Sequence, residues 1–143
     1  LFRSVAPRGQ RITTDLEGCP PVLADPQLLE RVLGNLVDNA CKWSPPGSGV
    51  RIDADGVGDS VVIRVVDSGP GIPRPRRAEA FVPFQRLGDS SGVEGTGLGL
   101  AIAAGFVEAM AGSSEIEDTP GGGTTMVLTL PAAAAVVVEP AGR

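Results

Sequence analysis

The stretch DPQLLERVLGNLVDNACKWS, residues 25–44, predicts a long amphipathic helix around which the rest of the chain can be arranged. Asp25 is a favourable N-cap residue, and Pro26 suits the first helical position. The segment SPPG, residues 44–47, is a strong helix breaker and predicts the C-terminal end. Apolar side chains recur at helical spacing between these two signals: Leu29, Leu33, Leu36 and Ala40.

Strands are predicted on both sides of this helix. The segment GQRITTDL, residues 9–16, has the composition of an edge strand, and PPVLAD, residues 20–25, predicts a short second strand. After the helix, VRIDAD (50–55) alternates between apolar and polar residues, and SVVIRVVD (60–67) is almost continuously apolar. These two segments flank a glycine-rich turn, so we expect a hairpin whose second strand is central in the sheet.

The second half of the chain repeats the pattern of a helix followed by strands. Residues 68–97 form a long connection rich in glycine and proline, of the kind that is usually functional or disordered. A helix is predicted over residues 98–111, buried because it is apolar nearly all round, with Gly112 as its C-terminal cap. Residues 113–118 and 124–131 then predict two closing strands.

The composition excludes several classes of function. The 143 residues carry a net charge of −5, which argues against a nucleic-acid-binding surface. The chain has no histidine, so Cys/His zinc sites and Ser-His or Cys-His catalytic pairs are not expected within it. Cys19 and Cys41 could form a disulfide, but we do not expect one in a cytosolic chain. No apolar run is long enough to span a membrane.

Three polar side chains lie on one edge of the first predicted helix. At about 100° per residue, Asn35, Asn39 and Lys42 fall in a narrow stripe beside the apolar face. An asparagine oxygen can bind a hard cation such as Mg²⁺, and a nearby lysine can neutralise phosphate. The alternative is that both asparagines are ordinary solvated residues, and the stripe alone favours neither interpretation.

A second polar position follows the central strand, in the segment VVDSGPGIP. Asp67 is the first polar residue after a buried run, and Gly69 and Gly71 permit a tight turn with open space above it. A buried carboxylate here could accept a hydrogen bond from an exocyclic amine such as that of adenine. In the alternative, Asp67 only closes an Asx-turn.

Three glycines at every second position open the last predicted helix. The segment GTGLGL, residues 95–100, is neither a Walker loop nor a dinucleotide GxGxxG motif. Glycines still expose backbone N–H groups, and a helix N-terminus attracts phosphate. We therefore interpret Gly95, Gly97 and Gly99 as a phosphate cradle, with a hinge or close helix packing as the alternative.

In this order, the segments NLVDNACKWS, VVDSGPGIP, FVPFQRL, GTGLGLAIA and GGGTTMVLTLP resemble the N, G1, F and G2 boxes and the final strand of sensor histidine kinases. The resemblance implies an ATP-binding catalytic domain over residues 10–131, preceded by a linker (1–9) and followed by a tail that can be disordered (132–143). It also implies a two-layer α/β (α+β) sandwich, with a mixed, mostly antiparallel sheet and helices on one face. The segment FVPFQRLGD further resembles Kdp-type potassium sensors of actinobacteria.

The resemblance assigns roles to residues of this chain, with ATP and Mg²⁺ as the cofactors. Catalysis would involve Asn39 as the Mg²⁺ ligand, Lys42 as a phosphate contact and Arg86 reaching toward the terminal phosphate. Residues 85–96 would form a lid over ATP. The other implied nucleotide contacts are Asn35, Trp43, Asp67, Gly69, Gly71, Ile72, Gly95, Thr96, Gly97, Leu98, Gly99 and Thr124. Alternatives from the residues alone are a solvated charge for Arg86, a core anchor for Trp43 and a plain strand residue for Thr124.

Asn35 stands where gyrase-type, Hsp90-type and MutL-type ATPases of the same superfamily have a glutamate base, one helical turn before the Mg²⁺ ligand. An amide cannot take a proton from water, so slow hydrolysis is expected, with transfer to a histidine as the reaction. The resemblance implies that this histidine lies on a dimeric helical hairpin preceding the domain. Since the chain has no histidine and starts at Leu1 rather than Met, we expect it to be a fragment that begins just after that hairpin.

The resemblance further implies a response regulator that acts through the hairpin, and a cytoplasmic location within a membrane-anchored sensor. The fragment itself would contact neither membrane nor nucleic acid. Two alternatives are a degenerate nucleotide-binding or partner-binding module that transfers no phosphate, and a slow stand-alone ATPase.

Overall fold

The described part of the chain folds as one five-stranded sheet with helices packed on one face. The computed structural model describes residue 9, residues 11–81 and residues 99–133. The strands are β1 (Arg11–Asp15), β2 (Gly49–Val57), β3 (Ser60–Val66), β4 (Ser113–Asp118) and β5 (Thr124–Pro131), in the order β1-β2-β3-β5-β4. The helices are α1 (Pro26–Trp43) and α2 (Gly99–Ala109), with short 3₁₀ turns at Arg74–Arg76 and Ala78–Phe81. Only the β1–β2 pair among these strands is parallel, which confirms the predicted mixed sandwich.

Strands β2 and β3 form the predicted hairpin. Val57 pairs with Ser60, and Gly58 adopts a positive φ of 59° in the turn between them. Alternate side chains of both strands are buried toward the helices, and the remainder face the open side of the sheet. The buried set consists of Val50, Ile52, Ala54, Val61, Ile63 and Val65.

Helix α1 begins and ends where the sequence predicts. The Asp25 carboxylate accepts hydrogen bonds from the backbone N–H groups of Gln27 (2.9 Å) and Leu28 (3.2 Å), which satisfies two donors of the first turn. Ser44 is the C-cap residue. The buried face of the helix packs over the sheet through Val32, Leu36, Val37, Ala40 and Cys41.

The strand predicted over residues 20–25 is wrong. Within this segment the structure has only one isolated bridge, between Val22 and Ala132. Pro20 and Pro21 have no N–H to donate to a ladder, and Asp25 already caps α1. The bridge is nevertheless reinforced on both sides, since the N–H groups of residues 23 and 133 donate to the carbonyls of residues 131 and 21, respectively.

The predicted end of the second helix needs two corrections. Helix α2 stops at Ala109, and the residue with a left-handed conformation is Ala111 (φ 61°) rather than Gly112. Gly112 donates to the carbonyl of Val107 (2.9 Å) and Ala111 to that of Glu108 (3.0 Å), the two hydrogen bonds of a Schellman motif. A Cβ on Gly112 would lie 2.5 Å from the Thr129 carbonyl oxygen, so glycine is required there for close approach to β5.

The prediction that α2 is buried all round is also wrong. Ala103 and Val107 are buried, whereas Ile102 is 42% exposed. In a two-layer fold a helix contacts the sheet with one side only, so an all-apolar helix is not buried throughout.

Two expectations from composition can be compared with the described residues. Neither α1 nor α2 has the combination of length and apolar character needed to cross a membrane, and no other helix of the described ranges does. Cys19 is half-buried and Cys41 is buried, and the two do not form a disulfide.

Replacing Ala111 by glycine is expected to stabilise the domain by about 0.5–1 kcal/mol, because the left-handed conformation is strained for alanine and not for glycine. Urea unfolding measures the difference. As a control, Ala109→Gly at the end of α2 is expected to destabilise, since glycine there loses entropy without relieving strain. An unchanged or lowered midpoint for Ala111→Gly would contradict the argument.

Candidate nucleotide-binding site

The carboxylate of Asp67 is held by two backbone N–H groups at the end of β3. Its Oδ1 accepts from Gly69 (2.9 Å) and from Thr124 (2.9 Å), while the backbone N–H of Asp67 donates to the Thr124 carbonyl (3.0 Å). The side chain therefore joins its own turn to the first residue of β5. The Asx-turn expected as an alternative from sequence is present, and it accounts for only one of the two bonds.

Burial governs the charge state of this group. Asp67 is 5% exposed, and desolvation raises the pKa of its carboxyl, while the hydrogen bonds from Thr124 and Gly69 act in the opposite direction. Both of these hydrogen bonds go to Oδ1. Oδ2 thus remains an acceptor that a ligand N–H group can use.

The C-terminal end of α1 supports the Asp67 turn from one side. The buried Ser44 hydroxyl accepts a hydrogen bond from the backbone N–H of Ser68 (3.2 Å). A Cβ on Gly69 would lie 2.8 Å from the Trp43 carbonyl oxygen, so only glycine permits this approach. The main chain of α1 and the turn are therefore in direct contact.

The loop between β4 and β5 supports the same turn from the other side. Gly123 has a φ of 117°, and a Cβ there would lie 2.1 Å from the Asp67 carbonyl oxygen. Gly71 has a φ of 79°, and its Cβ would lie 3.1 Å from the Gly123 carbonyl oxygen. Two backbones pack against each other here without side chains between them, which gives the turn a defined shape.

The polar stripe of α1 runs from this turn toward the start of α2. Asn39 lies one turn before Trp43, about 6 Å along the axis, and Asn35 about 12 Å before it. The Asn35 side-chain amide donates to the carbonyl of Gly99, the first residue of α2 (3.4 Å). One helix thus contacts the Asp67 turn at its end and the start of α2 two turns earlier.

The residues of the stripe fit a magnesium ion carried by a nucleotide better than a protein-only cage. Asn39 is half-buried and offers one hard oxygen, and Lys42 is exposed in the last turn of α1. Over the described ranges, no three Cys, Asp or Glu side chains are grouped so that they could hold a metal. Mg²⁺ usually keeps several waters and binds one or two protein ligands together with substrate phosphates.

The remaining predicted site residues fall into two groups. Trp43 and Ile72 are half-buried, with Ile72 packed against the core, and Thr124 is buried. Five predicted residues lie outside the described residues: Arg86, Gly95, Thr96, Gly97 and Leu98. The predicted lid (85–96) lies outside them as well.

Sequence reasoning missed two supports of the Asp67 turn. The sequence pattern indicates Ser44 only as part of a helix breaker, and it gives no individual role to Gly123. A serine that ends a helix and precedes two prolines gives no sequence indication that its side chain is buried. Three consecutive glycines before a strand were a usable signal, because a hairpin turn rarely needs more than one or two.

A cavity of about 480 Å³ opens beside the same turn but on the open face of the sheet. Thr13, Arg51 and Val66 line it, and they alternate with residues that point to the helices. None of the polar residues of α1 lines this cavity. It is therefore separate from the polar stripe of α1, but it shares Asp67 and Gly69 with the candidate nucleotide site.

Comparison with known proteins agrees with this geometry. The family described as "Histidine kinase-, DNA gyrase B-, and HSP90-like ATPase" matches residues 24–134. The chain belongs to this ATPase family. The match includes α1, the Asp67 turn and β5, which are the elements that build the site.

Within this family, the chain is a catalytic ATPase domain of the sensor histidine kinase type. It is 55% identical over 126 residues to the sensor protein KdpD of Rathayibacter rathayi, covering 87% of this chain and 15% of that protein. It is 39% identical over 124 residues to the sensory kinase SasA of Synechococcus elongatus, covering 85% and 32%. The chain thus spans only a small part of these relatives, and its similarity to KdpD agrees with the Kdp-type resemblance of its sequence.

Solved structures of histidine kinases have the same fold. The mycobacterial sensor histidine kinase MprB superposes with a TM-score of 0.75 at 31% identity, covering 86% of this chain and 82% of that one. Full-length ShkA in complex with AMPPNP superposes with a TM-score of 0.75 at 30% identity, covering 92% and 28%.

Proposed function

We propose that this ATPase-family domain binds Mg²⁺–ATP and transfers the γ-phosphate to a histidine on a separate helical hairpin of the same sensor. The observation that carries the proposal is the position of α1, which contacts both the Asp67 turn and the start of α2. An adenine at the turn and phosphates near the N-terminus of α2 would then lie along the polar edge of one helix. The AMPPNP complex of ShkA supports nucleotide as the ligand class.

Each part of the site has a separate task in this proposal. Oδ2 of Asp67 accepts a hydrogen bond from the adenine amino group, and Gly69 and Gly71 shape the turn by letting the backbones of Trp43 and Gly123 approach it. Lys42 and the backbone N–H groups of residues 95–99 neutralise the phosphates. Asn39 holds Mg²⁺, which supplies charge neutralisation at the phosphates when it is bound. The protein contributes positioning and electrostatics, as phosphoryl transfer requires.

The reaction is transfer rather than hydrolysis because the position one helical turn before Asn39, from which a carboxylate would act as the general base toward water, holds no carboxylate. Asn35 occupies that position, and its amide donates to the Gly99 carbonyl. An amide has no basic lone pair with which to take a proton. The acceptor imidazole of the hairpin needs no such base, since its own nitrogen attacks the phosphorus.

Incubation of the domain with labelled Mg²⁺–ATP and the purified hairpin of its parent sensor tests the proposal. Label on the hairpin is the expected result. Tight nucleotide binding without label on the hairpin would favour a degenerate binding module, and rapid release of free phosphate would favour a stand-alone ATPase. The parent protein is proposed to be a membrane-anchored, Kdp-type sensor with this domain in the cytoplasm, signalling through a response regulator.

Asn39→Ala is expected to weaken ATP binding about tenfold in the presence of Mg²⁺, because it removes a metal ligand. Calorimetric titration with AMPPNP, with Mg²⁺ and with EDTA, measures the effect, which should disappear in EDTA. Gln27→Ala removes an exposed amide from the first turn of the same helix and is the matched control. Equal affinities of Asn39→Ala and the unmodified domain in Mg²⁺ would exclude Asn39 as the ligand.

A further inference from the structure

Arg77 connects the end of the loop of residues 67–72, which begins with the Asp67 turn, to β4. It lies between the two 3₁₀ turns that follow this loop, and its side chain is only 18% exposed. Its Nε donates to the carbonyl of Ile72 (3.0 Å), Nη1 donates to the carbonyl of Ile116 (3.3 Å), and Nη2 pairs with the Asp118 carboxylate. One guanidinium therefore satisfies acceptors from two distant segments of the chain.

The neighbouring arginines do not share this arrangement. Arg74 is 82% exposed and approaches Asp118 at 3.7 Å. Arg76 is 44% exposed and pairs with Glu79, three residues along the chain (3.4 Å). Exposed pairs of this kind contribute little. Arg77 differs because its partners include two backbone carbonyls, which fix the path of the main chain itself.

The contacts of Arg77 complete a closed series of contacts between the loop and β4 that includes Asp67. The near end of the loop is fixed where Oδ1 of Asp67 accepts from Thr124. Thr124 pairs with Asp118 across the β4–β5 ladder. The far end of the loop, at Ile72, returns to Asp118 and its strand through Arg77. Without Arg77, the hydrogen bonds that join the Ile72 carbonyl to β4 through this guanidinium would be lost, and the exposed Arg74–Asp118 pair could not replace them.

We propose that Arg77 is a positioning residue for nucleotide recognition, acting through the Ile72 carbonyl on the loop that aims Oδ2 of Asp67. This inference rests on the proposed function. It predicts that losing Arg77 weakens the contact with the adenine amino group more than the contacts with the phosphates. A residue that only stabilised the fold would not change the preference for a nucleotide that carries the amino group.

The test compares ATP with purine riboside triphosphate, which lacks the 6-amino group, by calorimetric titration of the folded domain. Arg77→Ala is expected to weaken ATP binding about tenfold and to weaken binding of the analogue much less. Arg77→Lys keeps the charge, but all its donors are on one nitrogen and cannot span the acceptors that Nε, Nη1 and Nη2 reach separately, so it should fall between Arg77→Ala and the unmodified domain. Arg76→Ala, with its exposed side chain, is the control and should bind both nucleotides normally.

Arg77→Lys also keeps the test decisive if Arg77→Ala does not fold. An Arg77→Lys domain with unchanged preference for ATP over the analogue would overturn the inference, as would equal weakening of both nucleotides by Arg77→Ala. If the unmodified domain bound neither nucleotide, the proposed function itself would fail, and this result is distinct from the other two. Asp67→Asn combined with Arg77→Ala should bind ATP no more weakly than Asp67→Asn alone, since Arg77 acts through Asp67.

Discussion

Asp67→Asn is expected to weaken ATP binding by about 10- to 100-fold, the range for a lost hydrogen bond to a charged acceptor. The two backbone donors at Gly69 and Thr124 will hold the amide oxygen in the place of Oδ1. The NH₂ group must then face the adenine amino group, so two donors oppose each other. GTP presents a carbonyl oxygen at this place, which can accept from the new NH₂ group. The ratio of ATP affinity to GTP affinity should therefore fall by more than the ATP affinity itself.

Titration of ATP and GTP into both proteins measures this effect. Asp59→Asn makes the same charge change in the β2–β3 turn, at the opposite end of β3, and should leave both affinities unchanged. An unaltered ATP-to-GTP ratio in Asp67→Asn would leave Asp67 with only its role in the turn.

The same substitution isolates a dependence on pH. In the proposed site, adenine recognition would use the ionised carboxylate of Asp67, and burial raises the pKa of this group. ATP affinity should therefore fall as the pH drops through this raised pKa, at a higher pH than an exposed aspartate would give. Protonation of the ATP phosphates also changes ATP affinity with pH, but this contribution is the same in the Asp67→Asn domain. The difference between the pH profiles of ATP affinity for the unmodified and the Asp67→Asn domains therefore reports the titration of Asp67.

Gly123→Ala is expected to destabilise the domain by about 3 kcal/mol or more, from backbone strain at φ 117° together with overpacking. The added methyl would lie 2.1 Å from the Asp67 carbonyl oxygen, so β5 and the Asp67 turn must separate. Thermal and urea unfolding measure the loss of stability. Nucleotide affinity of the fraction that remains folded should fall too, because the bond between Thr124 and Asp67 crosses the same contact.

Gly121→Ala is the matched control for this change. Gly121 also has a positive φ (87°), but a Cβ there would meet no atom within 4 Å. Its cost should be limited to strain, about 1–2 kcal/mol, with normal nucleotide binding. Equal losses for the two variants would show that close packing at Gly123 contributes nothing.

The elements with strong local signals were predictable from sequence. Helix α1 has a capping aspartate, a proline at its first position and a breaker at its end, so its limits followed from residues 25–47. The β2–β3 hairpin followed from alternation around a glycine turn. Asp67 was identified because a lone polar residue at the end of a buried strand needs partners.

The remaining features depend on contacts between segments distant in the chain. That Ala111 rather than Gly112 adopts the left-handed conformation follows from the approach of Gly112 to Thr129 in β5, which local sequence does not contain. Glycine is required at position 123 because of the close approach of Asp67, which is distant in the chain. The role of Arg77 likewise depends on its contacts with Ile116 and Asp118. No pattern in residues 74–79 distinguishes Arg77 from the two arginines beside it.

The double contact of α1 has a mechanical consequence. Ser44 and the Trp43 carbonyl contact the turn that would receive the base, and Asn35 donates to the carbonyl of Gly99, the last of the glycines proposed to receive the phosphates. One rigid helix thus contacts both the base end and the phosphate end of the proposed nucleotide site. A rotation of this helix by a neighbouring domain would displace both contacts at once. Affinity for the base and the position of the phosphates would then change together.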